Sequence, residues 1–429
     1  MKINCKIVDI KNLDNKNIFC RSVSETPKQV CEAVEGIIKA VVAEGDSALL
    51  RFTEKFDGVK LAEIEVDKAE LDKAEKGIDG ALLAALKTAA KNIKEFHAKQ
   101  KREGFEFKRP DGAVLGQRFT PIEKAGVYIP GGTARYPSTV LMDVIPAKIA
   151  GVKEIIMTTP PGKDGKIPAA TLAAAKIAGV DRVFALGGAQ AIAAMAYGTQ
   201  SVPKVDKIVG PGNAYVTEAK RRVFGMVGLD MLAGPSEILI ITDGSANPDF
   251  IAADMLSQAE HDKNASAVLI CETEAFGQEV VKRLETRLET LPRSEIASVS
   301  LENNGMIIIA GLDEALKISD SLAPEHLELC VKDPDAALSK VKNAGSIFLG
   351  NYTPEALGDY LAGTNHTLPT MGTARFSSPL SVDDFVKKSS YIRYDANSLS
   401  GVSEKIVNFA RAEGLDAHAE SVLARFEEN

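Results

Sequence analysis

Tryptophan is absent from this 429-residue chain, and cysteine and histidine occur only five times each. The cysteines (Cys5, Cys20, Cys31, Cys271 and Cys330) are odd in number, scattered and nowhere spaced as CxxC, which excludes a disulfide framework or a thiolate metal site. Cys271 and Cys330 lie in the apolar runs AVLIC and LELCV, where cysteine is an inert small hydrophobe, so a thiol nucleophile has no candidate. Reduced thiols point to the cytoplasm. Basic charge is also short: Lys+Arg 51 against Asp+Glu 59 gives −8, which argues against nucleic acid as a partner. No export signal interrupts the charged N-terminus MKINCKIVDIKNLDNKN. The uncharged stretch Val183 to Pro203 is divided by Gly187-Gly188, Gln190 and Thr199-Gln200-Ser201, so it reads as strand, turn and Ala-rich helix, not as a membrane span. At roughly 150 residues per domain the length allows about three domains. A chain this long needs no metal merely to fold, so any metal it holds is there for chemistry.

What is present alternates. Residues 25–105 carry apolar residues at helical spacing (Val30, Val34, Ile37, Ile38, Val41, Val42), and the first region, 1–120, is expected to be helical. From Pro121 short β-branched runs alternate with helices, GVYI, EIIMTT, RVFAL and KIV, which indicates βαβ units over 121–235. A second series over 236–378 repeats the pattern with EILIIT, AVLIC, GMIIIA, HLELCV and SIFLG. The remainder, 379–429, ends in strand-like KKSSYIRYD and two helices too small for a large core, as expected of a segment that packs on a neighbour. The fold class is therefore α/β: two tandem incomplete Rossmann-like parallel-sheet domains, a helical N-terminal region and a small C-terminal tail domain. Ligand loops in such layers lie beyond the carboxyl ends of the strands.

Neither GxGxxG nor GxxxxGK[ST] occurs. Instead glycine turns follow successive strands at Tyr128-Ile129-Pro130-Gly131-Gly132, Leu186-Gly187-Gly188-Ala189-Gln190 and Gly210-Pro211-Gly212-Asn213. Glycine allows close backbone approach to a phosphate and leaves helix N-terminal amides free to bind it. One such turn is ordinary; three in one layer favour a bound nucleotide. A polar group forms the second constellation. Gln258 and His261 lie three apart on one helix face, Asp359 and His366 share a Gly-rich stretch, and His418 lies near Glu413; such N and O donors suit zinc if the fold brings them together. Glu325-His326, after Pro324 at the entry to a strand, could supply two bases.

In order along the chain, GVYIPGGTARYPSTVLM, LGGAQAIAAMAYGT, IVGPGNAYVTEAK, AGPSEILI, LSQAEHD, APEHLEL, LGDYLAGTNHTLPT and AEGLDAHAES resemble the histidinol dehydrogenase family. The first hundred residues match in texture only. The resemblance implies NAD-dependent oxidation of L-histidinol to L-histidine via L-histidinaldehyde, the last step of histidine biosynthesis, with one Zn2+ per subunit. It assigns Gln258, His261, Asp359 and His418 to the metal, and Ser236, His366 and Glu413 to the substrate, which His326 and the metal ligands also touch. It assigns Tyr128, Gln190 and Asn213 to NAD, and Glu325 and His326 to acid–base chemistry. It further implies a homodimer in which Glu413 and His418 act across the interface. Two oxidations without a thiol suit the cysteine positions. A zinc hydrolase is the alternative, set against by the glycine turns; a non-catalytic metabolite-binding homologue would lack Glu325, His326 or a ligand. Four histidines then fall in one site, and His97 is left as a helix-surface residue.

Overall fold

A computed structural model describes residues 3, 5–12, 18–19, 26–131 and 136–427. Cys20, Gly132, residues 133–135 of the first glycine-turn motif and parts of the N-terminal stretch lie outside them. The expected class holds. The chain divides into two compact units, 1–100 with 122–385 and 101–121 with 386–429.

In the first unit, a five-stranded parallel sheet is ordered Arg182–Ala185, Glu154–Thr159, Lys124–Tyr128, Lys207–Val209, Gly228–Leu229. Alternate residues feed opposite faces: Val127, Ile155 and Met157 enter one core, Tyr128, Ile156 and Phe184 the other. The N-terminal helices cover these faces. Lys28–Glu44 and Asp46–Asp57 bring Val34, Ile37, Val41, Leu49 and Phe52 to the Tyr128 face, while Gly80–Ala98 brings Leu86, Ala89 and Ile93 to the other. His97 continues this inward series and is fully buried, with Nδ1 2.7 Å from Gln100 Oε1. It is therefore not a surface residue: its position four after Ile93 turns it inward, and burial lowers its pKa.

The same unit holds a six-stranded parallel sheet ordered Lys6–Asp9, Met306–Ile309, Ser266–Cys271, Glu237–Thr242, His326–Cys330, Ser346–Leu349. Its central strands EILIIT, SAVLIC and HLELC are buried throughout, as parallel strands covered on both faces must be. Lys6–Asp9 extends the edge by pairing with Met306–Ile309. Part of the region expected to be helical is thus a sheet strand.

The second unit is a three-stranded antiparallel sheet with helices Ala396–Ala412 and Asp416–Leu423. Val114–Pro121 pairs along its whole length with Val386–Arg393, which joins residues 101–121 to the C-terminal segment. Its core is small, built on Val407, Ala410 and Ala419.

Candidate active site

The first sheet's strand order reverses between Lys124–Tyr128 and Lys207–Val209, which creates a crevice at their carboxyl ends. The glycine turns meet there. Gly210 has φ 112°, and a Cβ on it would lie 2.1 Å from the Tyr128 carbonyl oxygen, so only glycine fits. A buried ion pair clamps this turn: Lys220 Nζ donates to the Gly210 carbonyl at 2.9 Å, the Gly210 amide donates to Asp230 Oδ2 at 2.8 Å, and Lys220 pairs with Asp230. With both charges satisfied by turn backbone, the pair specifies the turn's shape; removing one member would strand the other. Asn213 caps helix Ala214–Val223, accepting from the Tyr215 and Val216 amides. The Tyr128 hydroxyl accepts from the Gly188 amide at 3.1 Å. Gln190, in the first turn of helix Gly188–Tyr197, is 2% exposed, and its Oε1 has no partner among the described residues.

In the second sheet the site lies elsewhere. Ser236 and Glu237 open one central strand and His326 opens the next, so this cluster forms at amino ends, where the carboxyl-end expectation does not hold. The physical reason is the neighbouring helices. His326 and Glu328, two apart on a strand, face one side. Gln258 and Asp254 are four apart on helix Pro248–Ala259, and Glu355 and Asp359 are four apart on helix Glu355–Tyr360. These positions converge. The Glu355 amide donates to Glu328 Oε1 at 2.8 Å. In the amide orientation its neighbours satisfy, Gln258 donates from Nε2 to both Glu355 oxygens, at 2.6 and 2.8 Å, and accepts from the Glu237 amide at 3.2 Å.

Glu237 also serves the adjacent pair. Its amide donates to Glu325 Oε2 at 2.8 Å, and its carbonyl lies 3.1 Å from His326 Nδ1. His326 Nε2 is buried without a hydrogen-bond partner among the described residues, 3.8 Å from Glu355 Oε1. Burial lowers the His326 pKa to about 4, so the imidazole is neutral. Burial raises the Glu325 carboxyl well above the carboxylate range, and one amide donor does not offset it. Glu328 and Glu355 are raised by the same cause, and Asp254 is pushed up to about 6.

Near the surface, His261, Glu355 and Asp359 bring ligand atoms within 4.8 Å of one another. One nitrogen and two carboxylates, backed by further buried acids, form a donor set that fits a borderline cation such as zinc. Glu355 is the residue that motif reasoning missed; its signal is the four-residue spacing to Asp359 in PEALGDY. His366 lies with Nδ1 3.9 Å from Asp359 Oδ1 and Nε2 3.1 Å from Thr139 Oγ1. Its neighbours Asn365 and Thr367 are tied to the same helix, Pro137–Ala150, at the Met142 carbonyl and Asp143 Oδ1. Beside the cluster, a cavity of about 410 Å³ is lined by His261, Arg293, Tyr136 and Tyr360 together with Leu82 and Leu86. Gln258, His261, Glu325, His326, Asp359 and His366 thus share one region, with Ser236 next to Glu237. Glu413 and His418 belong to the second unit, where both are exposed. Cys271 and Cys330 are buried, and burial pushes the Cys271 thiol up to about 11 and that of Cys330 higher, so neither is a nucleophile. Among the described residues no helix is long and apolar enough to cross a membrane.

Two parallel-sheet layers, one with glycine turns at a switch point and one with a buried Glu-His pair beside a histidine–carboxylate cluster, define an α/β oxidoreductase. The family model described as histidinol dehydrogenase matches residues 21–426. Histidinol dehydrogenase from Bacillus cereus (strain ATCC 10987 / NRS 248) is 56% identical over 416 residues, 97% of this chain and 95% of that protein. The Clostridium acetobutylicum histidinol dehydrogenase is 49% identical over 426 residues, 98% of this chain and 99% of that one. A crystal structure of histidinol dehydrogenase from Elizabethkingia anophelis superposes with TM-score 0.94 at 38% identity, covering 99% of both chains. The chain belongs to the histidinol dehydrogenase family.

Proposed function

We propose that this chain oxidises L-histidinol to L-histidine in two successive steps through L-histidinaldehyde, as the last reaction of histidine biosynthesis in the cytoplasm. Each step uses NAD+, bound at Tyr128, Gln190 and Asn213. One Zn2+ per subunit is held by Gln258, whose amide turns over to present its oxygen when the metal binds, with His261 and Asp359; Glu355 borders the site, which is completed by Glu413 and His418 from the second copy of a homodimer. The observation that carries this reading is the buried Glu325-His326 pair, organised by Glu237 next to the His261–Glu355–Asp359 cluster. When bound, zinc supplies positive charge and a template for the substrate imidazole and amine.

The chain's own groups account for the remaining chemistry. His326, neutral and with Nε2 free, accepts the carbinol proton in the first oxidation. Glu325, whose raised pKa suits it to taking up a proton, takes one from the water that adds to the aldehyde while the His326 imidazolium returns its proton to the aldehyde oxygen, which leaves His326 neutral to accept the proton of the hydrate in the second oxidation. Ser236 and His366 orient the substrate, and the enclosed site retains the reactive aldehyde. Zinc-replete protein given L-histidinol and NAD+ should form NADH, and chelator-treated protein should not. Absence of NADH in the zinc-replete sample would overturn the reading.

A further inference from the structure

The N-terminal helices bring to the glycine turns one carboxylate that the reaction above leaves unused. Helix Asp46–Asp57 ends on Asp57, and Gly58 follows with φ 72°. The chain then attaches antiparallel to the edge of the first sheet: the Ala185 amide donates to the Ile64 carbonyl at 2.7 Å, and the Val66 amide to the Val183 carbonyl at 2.8 Å. In an antiparallel pairing, residues before Ile64 run on past Ala185, beyond the strand's carboxyl end, where Leu186, Gly187 and Gly188 turn. Val59 and Leu61 flank Gly165, in the loop after strand Glu154–Thr159, which sets them on that same side. Asp57 thus stands at the ligand side of the sheet.

Its surroundings point to a missing donor. Asp57 Oδ2 is enclosed and has no hydrogen-bond partner among the described residues. Its charge reaches the Tyr128 phenol and adds to the burial that pushes that group up to about 12; the same hydroxyl accepts from Gly188. Gln190 Oε1, deeply buried in the helix that starts at Gly188, is a second acceptor without a partner among the described residues. Two unmatched acceptors beside the start of helix Gly188–Tyr197 suit a ligand that carries phosphate and hydroxyl groups together. Dinucleotide folds usually hold the ribose with an acid after an early strand. Here strand Glu154–Thr159 runs into Pro160-Pro161, with no acid at its end.

We propose that Asp57 reads the adenosine ribose of the dinucleotide, accepting a hydrogen bond from its hydroxyls and excluding a 2′-phosphate, so that it sets the preference for NAD over NADP. This rests on the reading that the glycine turns bind a nicotinamide dinucleotide. A carboxylate has acceptors for a ribose diol and like charge for a phosphate, so one side chain serves both discriminations.

The test is direct binding of NADH and NADPH, followed by nucleotide fluorescence, to full-length wild type, Asp57→Asn and Asp57→Ala. Wild type should bind NADH more tightly than NADPH, and both variants should shift the ratio of dissociation constants toward NADPH by about tenfold or more, the scale of one lost charge-assisted contact. The steady-state KM for L-histidinol should stay put. An unchanged ratio, with both nucleotides bound, would overturn the role of Asp57 alone. Failure of wild type to bind either nucleotide would overturn the dinucleotide reading and this proposal with it. Asp57→Asn, nearly isosteric, separates loss of charge from loss of fold.

Discussion

His326 Nδ1 lies 3.1 Å from the Glu237 carbonyl oxygen, and because a carbonyl only accepts, the neutral ring carries its proton on Nδ1. The basic lone pair is thereby confined to Nε2, the nitrogen with no partner among the described residues. A backbone carbonyl at the start of one strand selects the tautomer of a base at the start of the next.

His326→Asn keeps a donor for the Glu237 carbonyl and removes the basic nitrogen. Alcohol oxidation should fall by roughly 10²- to 10⁴-fold, the usual worth of a general base. Zinc content, measured by atomic absorption, should be unchanged. A variant that loses its zinc would mean that His326 acts on the metal site instead.

Glu325→Gln should separate the two half-reactions. Its amide oxygen can still accept from the Glu237 amide, so the strand junction survives, but no base remains to activate water. Single-turnover oxidation of L-histidinaldehyde should slow much more than that of L-histidinol. Equal losses in both would contradict the separate role of Glu325.

How much of this is legible in the sequence differs residue by residue. Gln258 and the rare histidine His261 stand three apart in sequence, although the helix ends at Ala259 and His261 lies in the turn just beyond it, and Glu325-His326 sits on a marked strand entry, so each can be picked out from local pattern. The alternation of strands and helices likewise shows the two parallel layers. Glu355 and Glu328 are different, because an acid on a short helix or in an apolar strand looks ordinary until tertiary packing places them together. His97 is readable in principle from the inward series Leu86, Ala89, Ile93, yet a polar residue invites a surface assignment. The attachment of residues 101–121 to the C-terminal segment is a long-range pairing with no local signature. The amino-end position of the second cluster depends on where helices Pro248–Ala259 and Glu355–Tyr360 cross the strand ends, which periodicity does not encode.

Asp143 makes the fold sensitive to pH. Fully enclosed and accepting from Thr367 Oγ1, its carboxyl is pushed up to about 8, first by burial and then by Asp230, against the opposing Thr367 bond and Lys220. A raised carboxyl stabilises the fold fully below its unfolded pKa, near 4, and that contribution is lost as pH rises toward 8. Asp143→Asn cannot ionise. Its stability relative to wild type should therefore increase by roughly 1.4 kcal/mol per pH unit between about pH 5 and 7.5, and level off above pH 8. Urea midpoints for both proteins across this range test it; parallel profiles would contradict it.

If His418 acts across a homodimer, mixed dimers of His261→Ala and His418→Ala chains contain one site with both substitutions and one with neither. Statistical mixing of the two inactive variants should restore about a quarter of wild-type activity, since about half the dimers are mixed and half their sites are intact. Complete inactivity in verified mixed dimers would place all ligands within one chain.

The most direct measurement is the yield of NADH per L-histidinol consumed to completion by zinc-replete protein, with the product identified by chromatography. Two NADH per substrate, with L-histidine as the product and no free aldehyde, is the predicted result. One NADH with aldehyde released, or no NADH at all, would contradict the two-step oxidation built on Glu325 and His326.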